Sequence, residues 1–295
     1  HELFDVVRGV TKTINSNTNN AEATQTDSLT AFGSDGFTLG SNGDINYNNS
    51  TYVGWNWKAG GTASSNTDGS ITSSVSANTT SGFSVVTFTG TGSNATIGHG
   101  LGVKPDAVFF KRLDTTGGWA SYHSVLGATK YMRLDTNSGE QTASDEFQNT
   151  EPTSSVISIG TDGAVNGTSM VAYCFADVKG FSKFNSYVGN GSTDGPFIFT
   201  GFKPAFVLIK KSNTSGTDWQ LTDNKRDLHN VCTHRLLPND SIAEQTDSLD
   251  LDILSNGFKI RKSSTTSNAS GATYIYLAFA ENPLVGTNNV PATAR

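Results

Sequence analysis

Apolar and polar positions alternate along this chain in short runs, and three of those runs stand out. They are Tyr52-Val53-Gly54-Trp55-Asn56-Trp57, Val171-Ala172-Tyr173-Cys174-Phe175-Ala176 and Tyr274-Ile275-Tyr276-Leu277-Ala278-Phe279-Ala280. Each has the length and the β-branched and aromatic content of a strand, and none has the period of a helix. Ahead of each lies a turn followed by a shorter β-prone segment: Ser34–Leu39, Gly160–Val165 and Ser255–Ile260. The Asp35-Gly36, Asp162-Gly163 and Asn256-Gly257 pairs predict hairpins with type I′ turns, which need positive φ at both central residues. Asn282-Pro283 predicts the end of the third run.

The same segments belong to an internal repeat. Gln25–Leu29 and Gln245–Leu249 share Gln-Thr-Asp-Ser-Leu, and Gly102–Lys111 parallels Gly201–Lys210 with a proline just ahead of an apolar strand in both. A tryptophan follows each glycine-rich turn, Trp119 and Trp219. The intervals agree: 118 positions separate His1 from Trp119 and Trp57 from Phe175, while the next copy lies 100 and 104 positions on. A fixed period of this size marks duplication. The reading is all-β, with tandem, duplicated β-sandwich modules of jelly-roll or lectin-like type. Residues 1–58 form the back half of an incomplete module, 59–82 a polar linker, 83–180 and 184–283 two complete modules, and 284–295 a tail. The incomplete module leaves a sheet edge open, so upstream sequence or a partner chain is expected to complete it.

Composition narrows the picture. Of 295 residues, 35% are hydrophobic, 16% are charged and 31 are glycine. Ser, Thr and Asn compete with the backbone for hydrogen bonds and so disfavour long helices. The net charge of -6 is the wrong sign for a phosphate-binding surface, so no nucleic-acid partner is expected. Lys210–Lys211 and the cluster of Lys259, Arg261 and Lys262 read as solvated strand ends. No apolar run approaches the roughly twenty residues of a membrane-spanning helix, so no membrane insertion is expected. Cys174 reads as a small buried hydrophobe, and two cysteines with scattered histidines make no zinc pattern. No metal and no cofactor are expected.

Candidate chemistry is sparse. His1–Arg8 aligns with Trp219–Arg226, which pairs Asp5 with Asp223 and Arg8 with Arg226; the middle copy has His123 and Leu126 there. An ion pair kept in two copies and dispensable in the third reads as a structural brace, and no catalytic residue is expected. Trp55 and Trp57 recur as Tyr173 and Phe175, then as Leu277 and Phe279, which is core behaviour. Trp119, Tyr122, His123 and Trp219 flank turns and are the candidates for stacking on a sugar. Asp145, Glu146, Glu151, Asp247, Asp250 and Asp252 lie in polar loops with no spacing that marks a glycosidase pair.

Four strings, 52–62, 98–105, 180–191 and 195–207, together with Ala280–Gly286 and Pro291–Arg295, resemble a repeat family. That family occurs in structural and tail-fibre-like proteins of tailed bacteriophages, notably marine ones. The resemblance covers nearly the whole chain. It implies a component of the virion surface: a tail fibre or spike that contributes to host recognition and binds other virion proteins. A host-surface glycan is the implied ligand, and a homotrimer or other homo-oligomer the implied assembly. A capsid decoration or head-fibre protein without a receptor, and a glycan-depolymerising tail enzyme, are the alternatives. No functional residue carries over from the family.

Overall fold

The computed structural model describes residues 1–246 and 249–281. The tail expected at 284–295 lies outside the described residues. The fold is all-β, with antiparallel strand ladders and, among the described residues, only two single-turn helices, Gly43–Asn46 and Ser144–Phe147. Its centre is the predicted run at Met170–Phe175. That strand lies between Phe83–Phe88 and Ala107–Arg112 in an eight-stranded sheet. The Thr273–Phe279 strand occupies the same place between Ser182–Val188 and Phe206–Lys211 in a four-stranded sheet.

Both central strands are buried on their two faces, which is why they read as continuous apolar runs rather than strict alternation. Met170, Ala172 and Cys174 pack with Ile97, Ile157 and Ile159 beneath the small sheet of Ala95–Gly98 and Val156–Ile159. Tyr274, Tyr276 and Ala278 pack in the same way with Ile198, Phe258 and Ile260, beneath Phe197–Phe199, Gly257–Ile260 and Leu251–Leu254. The opposite faces, carrying Val171, Tyr173 and Phe175 on one strand and Ile275, Leu277 and Phe279 on the other, meet in a shared core. Trp55, Trp57, Leu3, Val7 and Ile14 of the N-terminal region join it.

Trp57, Phe175 and Phe279 occupy one position of the repeat, and their rings form a closed triangle. The centroids lie 6.0 Å apart for Trp57–Phe175, 5.4 Å for Trp57–Phe279 and 5.6 Å for Phe175–Phe279, all edge to face. Such geometry adds roughly 0.5–1.5 kcal/mol per pair beyond the area buried.

Four expectations need correction. Residues 59–82 are not a linker: Ser64–Asn66 and Ser73–Asn78 extend the eight-stranded sheet beyond Phe83–Phe88. The signal was hidden because serine and asparagine dominate both segments, although Ser73, Val75, Ser76 and Ala77 lie against the sheet's neighbours. The Asp35-Gly36 and Asn256-Gly257 hairpins form, yet neither glycine takes positive φ, so the turns are not type I′. At Asp162-Gly163 no hairpin forms; the Asp162 carboxylate accepts the Ala164 N–H at 2.7 Å, and its carbonyl accepts from Val165 and Asn166. Finally, Tyr52–Trp57 belongs to no strand ladder.

Replacing Phe175 by alanine removes one corner of the triangle and is expected to cost about 3–5 kcal/mol. Val188→Ala, at a side chain 58% exposed, should change stability by less than about 0.5 kcal/mol. Urea unfolding of the two variants checks the contrast.

Candidate functional site

The residues with the most chemistry collect where one copy of the repeat meets the next. Asp5 and Arg8 lie on the turn between the Glu2–Leu3 and Lys12–Asn15 strands, and their side chains are 5% and 2% exposed. Arg8 Nε donates to Asp5 Oδ2 at 2.5 Å, Nη2 donates to the Leu3 carbonyl at 3.0 Å, and Nη1 donates to Glu22 at 3.2 Å. Asp5 Oδ1 also accepts the N–H groups of Val7 and Arg8. Burial disfavours the Arg8 cation, but Tyr173, Asp5 and Glu22 around it outweigh that and raise its pKa.

Asp223 and Arg226 reproduce the set. Nε donates to Asp223 Oδ2 at 2.8 Å, Nη2 to the Leu221 carbonyl at 3.1 Å, and Nη1 to Glu244 at 3.0 Å. Both ion pairs are therefore loop braces. In the middle copy His123 takes the aspartate's place. Its Nδ1 faces the Val125 N–H at 3.3 Å and so accepts, leaving Nε2 to donate to the Tyr276 carbonyl at 3.4 Å. Burial pushes its pKa down to about 4, so it stays neutral.

Asp5 and His123 also reach across to other copies. Tyr173 Oη donates to Asp5 Oδ2 at 2.8 Å, and the Tyr276 carbonyl is the partner of His123. The tryptophans extend the same pattern. Trp119 Nε1 donates to the Asn15 carbonyl and Trp219 Nε1 to the Arg133 carbonyl, both at 3.0 Å. His1, at the equivalent position, meets the Asp240 carbonyl through Nε2 at 2.7 Å. These bonds run from the second copy to the first, the third to the second and the first to the third, a closed ring.

The sugar-stacking candidates lie inside this arrangement. Trp119, Tyr122, His123 and Trp219 are at most 3% exposed, and stacking needs a free ring face. The structure gives them packing roles instead: Trp119 lies over Tyr173 at 6.3 Å, and Tyr122 donates its hydroxyl to Glu151 at 2.5 Å. Turn flanks are exposed in most β-proteins. Here Trp119, His123 and Trp219 reach another copy and Tyr122 is covered by Phe147 of its own, contacts that single-segment reasoning misses.

Lys210 needs the same correction. It is fully buried, as is its counterpart Lys111. Lys111 Nζ donates to the carbonyls of Asn19, Arg112 and Gly117, and Lys210 Nζ to that of Lys211. Burial brings both amines down to about 8, against an opposing pull from Asp135 and Asp218 respectively. The matching interval between Lys111 and Lys210 was the available sign. Cys174 and Cys232 are free and buried.

One carboxyl has unusual acidity. Glu146 is 1% exposed, burial lifts its pKa to about 7 against the attraction of Arg133, and Arg133 Nη2 donates to Oε1 at 3.0 Å. Oε2 has no hydrogen-bond partner among the described residues. A general acid with such a pKa must also reach a substrate, and this one is covered. A nearby cavity of about 380 Å³ is lined by Arg112, Arg133, Asp135 and Asp162. Arg112 is already bound to both oxygens of Asp114, at 2.8 and 3.1 Å. Among the described residues no group of three or more His, Cys, Asp or Glu could hold a metal ion, and no helix is long and apolar enough to cross a membrane.

An all-β chain of antiparallel sheets, with strands far apart in sequence meeting in a shared core, is the class that fold and site define. It belongs to the family described as a domain of unknown function (DUF7483), whose model matches residues 1–283. No curated protein and no solved structure matches it.

Two predictions test these contacts. Asp5→Ala leaves the buried Arg8 without its main partner and is expected to cost about 3–5 kcal/mol, whereas Asp5→His combined with Arg8→Leu, the middle copy's pair, should cost less. A double-mutant cycle by urea unfolding measures the difference. For Glu146, a folded pKa near 7 against an unfolded value of 4.5 means that the folded state holds the extra proton between those pH values. Its contribution is full below pH 4.5 and is lost as pH rises through 7. Glu146→Gln should therefore raise the melting temperature relative to the parent more at pH 8 than at pH 5.

Proposed function

We propose that the chain is an exposed structural component of a bacteriophage particle, a tail-fibre or spike-like appendage that contributes to host-surface recognition. The resemblance of its repeat strings to phage structural proteins carries this reading. The way its side chains are used supports it: Asp5, Arg8, Asp223 and Arg226 brace their own loops, while Trp119, Trp219 and the Tyr173 contact to Asp5 join segments far apart in the chain. A scaffold uses them so; a glycoside hydrolase keeps two carboxylates facing a cleft.

The fold is read more finely as tandem β-sandwich modules. The low charge and the Ser, Thr and Asn content suit a surface that is solvated by neutral polar groups. Recognition by such a surface rests on exposed loops, not on the tryptophans, and a host glycan remains the proposed ligand. The chain is further proposed to act as a homo-oligomer, a trimer by analogy with fibres, in contact with other virion proteins.

Cryo-electron microscopy of intact particles labelled with an antibody against this chain tests the reading. Label on an external tail or head appendage is expected. A location inside the particle, or no incorporation at all, overturns it.

A further inference from the structure

Two copies of the repeat show what covers its central strand; the first copy lacks that cover. Met170–Phe175 and Thr273–Phe279 each have a front strand along both edges, and a third front segment, Ala95–Gly98 or Phe197–Phe199, completes the small sheet above. The equivalent 52–57 segment joins no ladder. Its small sheet is the Leu29–Phe32 and Phe37–Leu39 hairpin alone.

Side-chain exposure follows from this. Tyr52 is 50% exposed where its counterpart Tyr274 is 0%; Phe37 is 43% where Phe258 is 0%; Phe32 is 40% where Ile253 is 7%. Along 52–58 the odd positions are half-buried against the shared core and the even positions face out. Those even positions correspond to Met170, Ala172 and Cys174, which lie under the small sheet in the second copy. The hairpin is already placed over the segment, with the Phe37 ring 3.7 Å from where a side chain on Gly54 would begin.

The joints between copies point the same way. The Glu22 N–H donates to the Leu113 carbonyl and the Gly117 N–H to that of Asn19; the Glu140 N–H donates to the Ser212 carbonyl and the Gly216 N–H to that of Asn137. Each joint thus pairs the back loop of one copy with the front half of the next. The third copy's counterparts of Asn137 and Glu140 are Ser241 and Glu244, and both are exposed.

We propose that residues 52–58, the 29–39 hairpin and the 239–246 loop form one acceptor site for a front half of this repeat. Its occupant is a polypeptide of about thirty residues with the pattern of 83–112. Two of its strands flank 52–58, one completes the hairpin sheet, and a lysine sits where Lys111 and Lys210 do. Strand addition supplies main-chain hydrogen bonds for affinity, and alternate side chains filling the Tyr52–Phe37 groove supply specificity.

The test adds a synthetic peptide copying residues 83–113 to the whole chain and follows amide hydrogen exchange. Saturable binding with at least a tenfold slowing of exchange across 52–58 is expected, and a scrambled peptide should have no effect. Asn56→Pro removes an N–H that such a ladder needs and should abolish the protection while leaving the unliganded melting temperature unchanged. A second form, independent of the peptide's own solubility, joins a copy of residues 83–118 directly ahead of His1, the register in which Gly118 meets Trp119. There the melting temperature should rise and 52–58 become protected. No protection in the joined form, or concentration-dependent self-association of the unliganded chain through 52–58, overturns the proposal.

Discussion

The contact on which the rest of this structure depends is that of Trp57, Phe175 and Phe279 at one point. Each sits on a segment that the repeat places identically, and each turns the same face inward. A single copy could cover the outer face of its central strand with its own small sheet, as Met170, Ala172 and Cys174 are covered. Its other face, bearing Val171, Tyr173 and Phe175, needs the neighbouring copies. The hydrophobic term therefore binds the copies into one core rather than stringing them as beads. The short join at Gly180–Phe184 fits this, since Phe184 lies 6.2 Å from Phe175 and 5.5 Å from Phe279.

Packing alone leaves register free, and the polar groups around the core set it. Each indole or imidazole at the first position of a back half reaches a backbone carbonyl on a different copy. A buried donor without its acceptor costs about 1–3 kcal/mol, so a slip between copies is penalised even where the apolar surfaces tolerate it. The replacement of Asp5 and Asp223 by His123 shows how far the chemistry can drift while the role is kept. A neutral imidazole with one accepting and one donating nitrogen still caps the loop and still reaches the next copy. The lost arginine is then no defect, because nothing charged is left to neutralise.

Much of this was legible in the sequence, and the gaps have physical causes. The period of the repeat located the central strands, the proline-led strands at 107 and 206, and the Asp–Arg pairs, because each is local in sequence. The burial of Trp119, Trp219 and Lys111 was not legible, because each donates to a carbonyl far off in sequence, those of Asn15, Arg133 and Asn19. Lys210 looks solvated from its neighbours alone, next to Lys211 at the end of a strand. The carbonyls of Asn19, Arg112 and Gly117 hold its counterpart Lys111, and the Lys211 carbonyl holds Lys210 itself. The Ser73–Asn78 strand was missed for another reason: it pairs through its backbone with Phe83–Phe88, which composition does not report.

The His1 contact with Asp240 has a consequence for how the chain reaches this shape. Residues 239 positions apart must meet before the ring closes, and Leu3 shares a core with Phe279. Loop-closure entropy of that kind slows a search and delays the reward for local structure. The sheet around Met170–Phe175 has its own partners within residues 64–175 and can assemble early, with one apolar face uncovered in the meantime. Until the ring closes, that sheet leaves the face bearing Phe175 without its cover, the kind of surface through which a chain can meet a neighbour instead of itself.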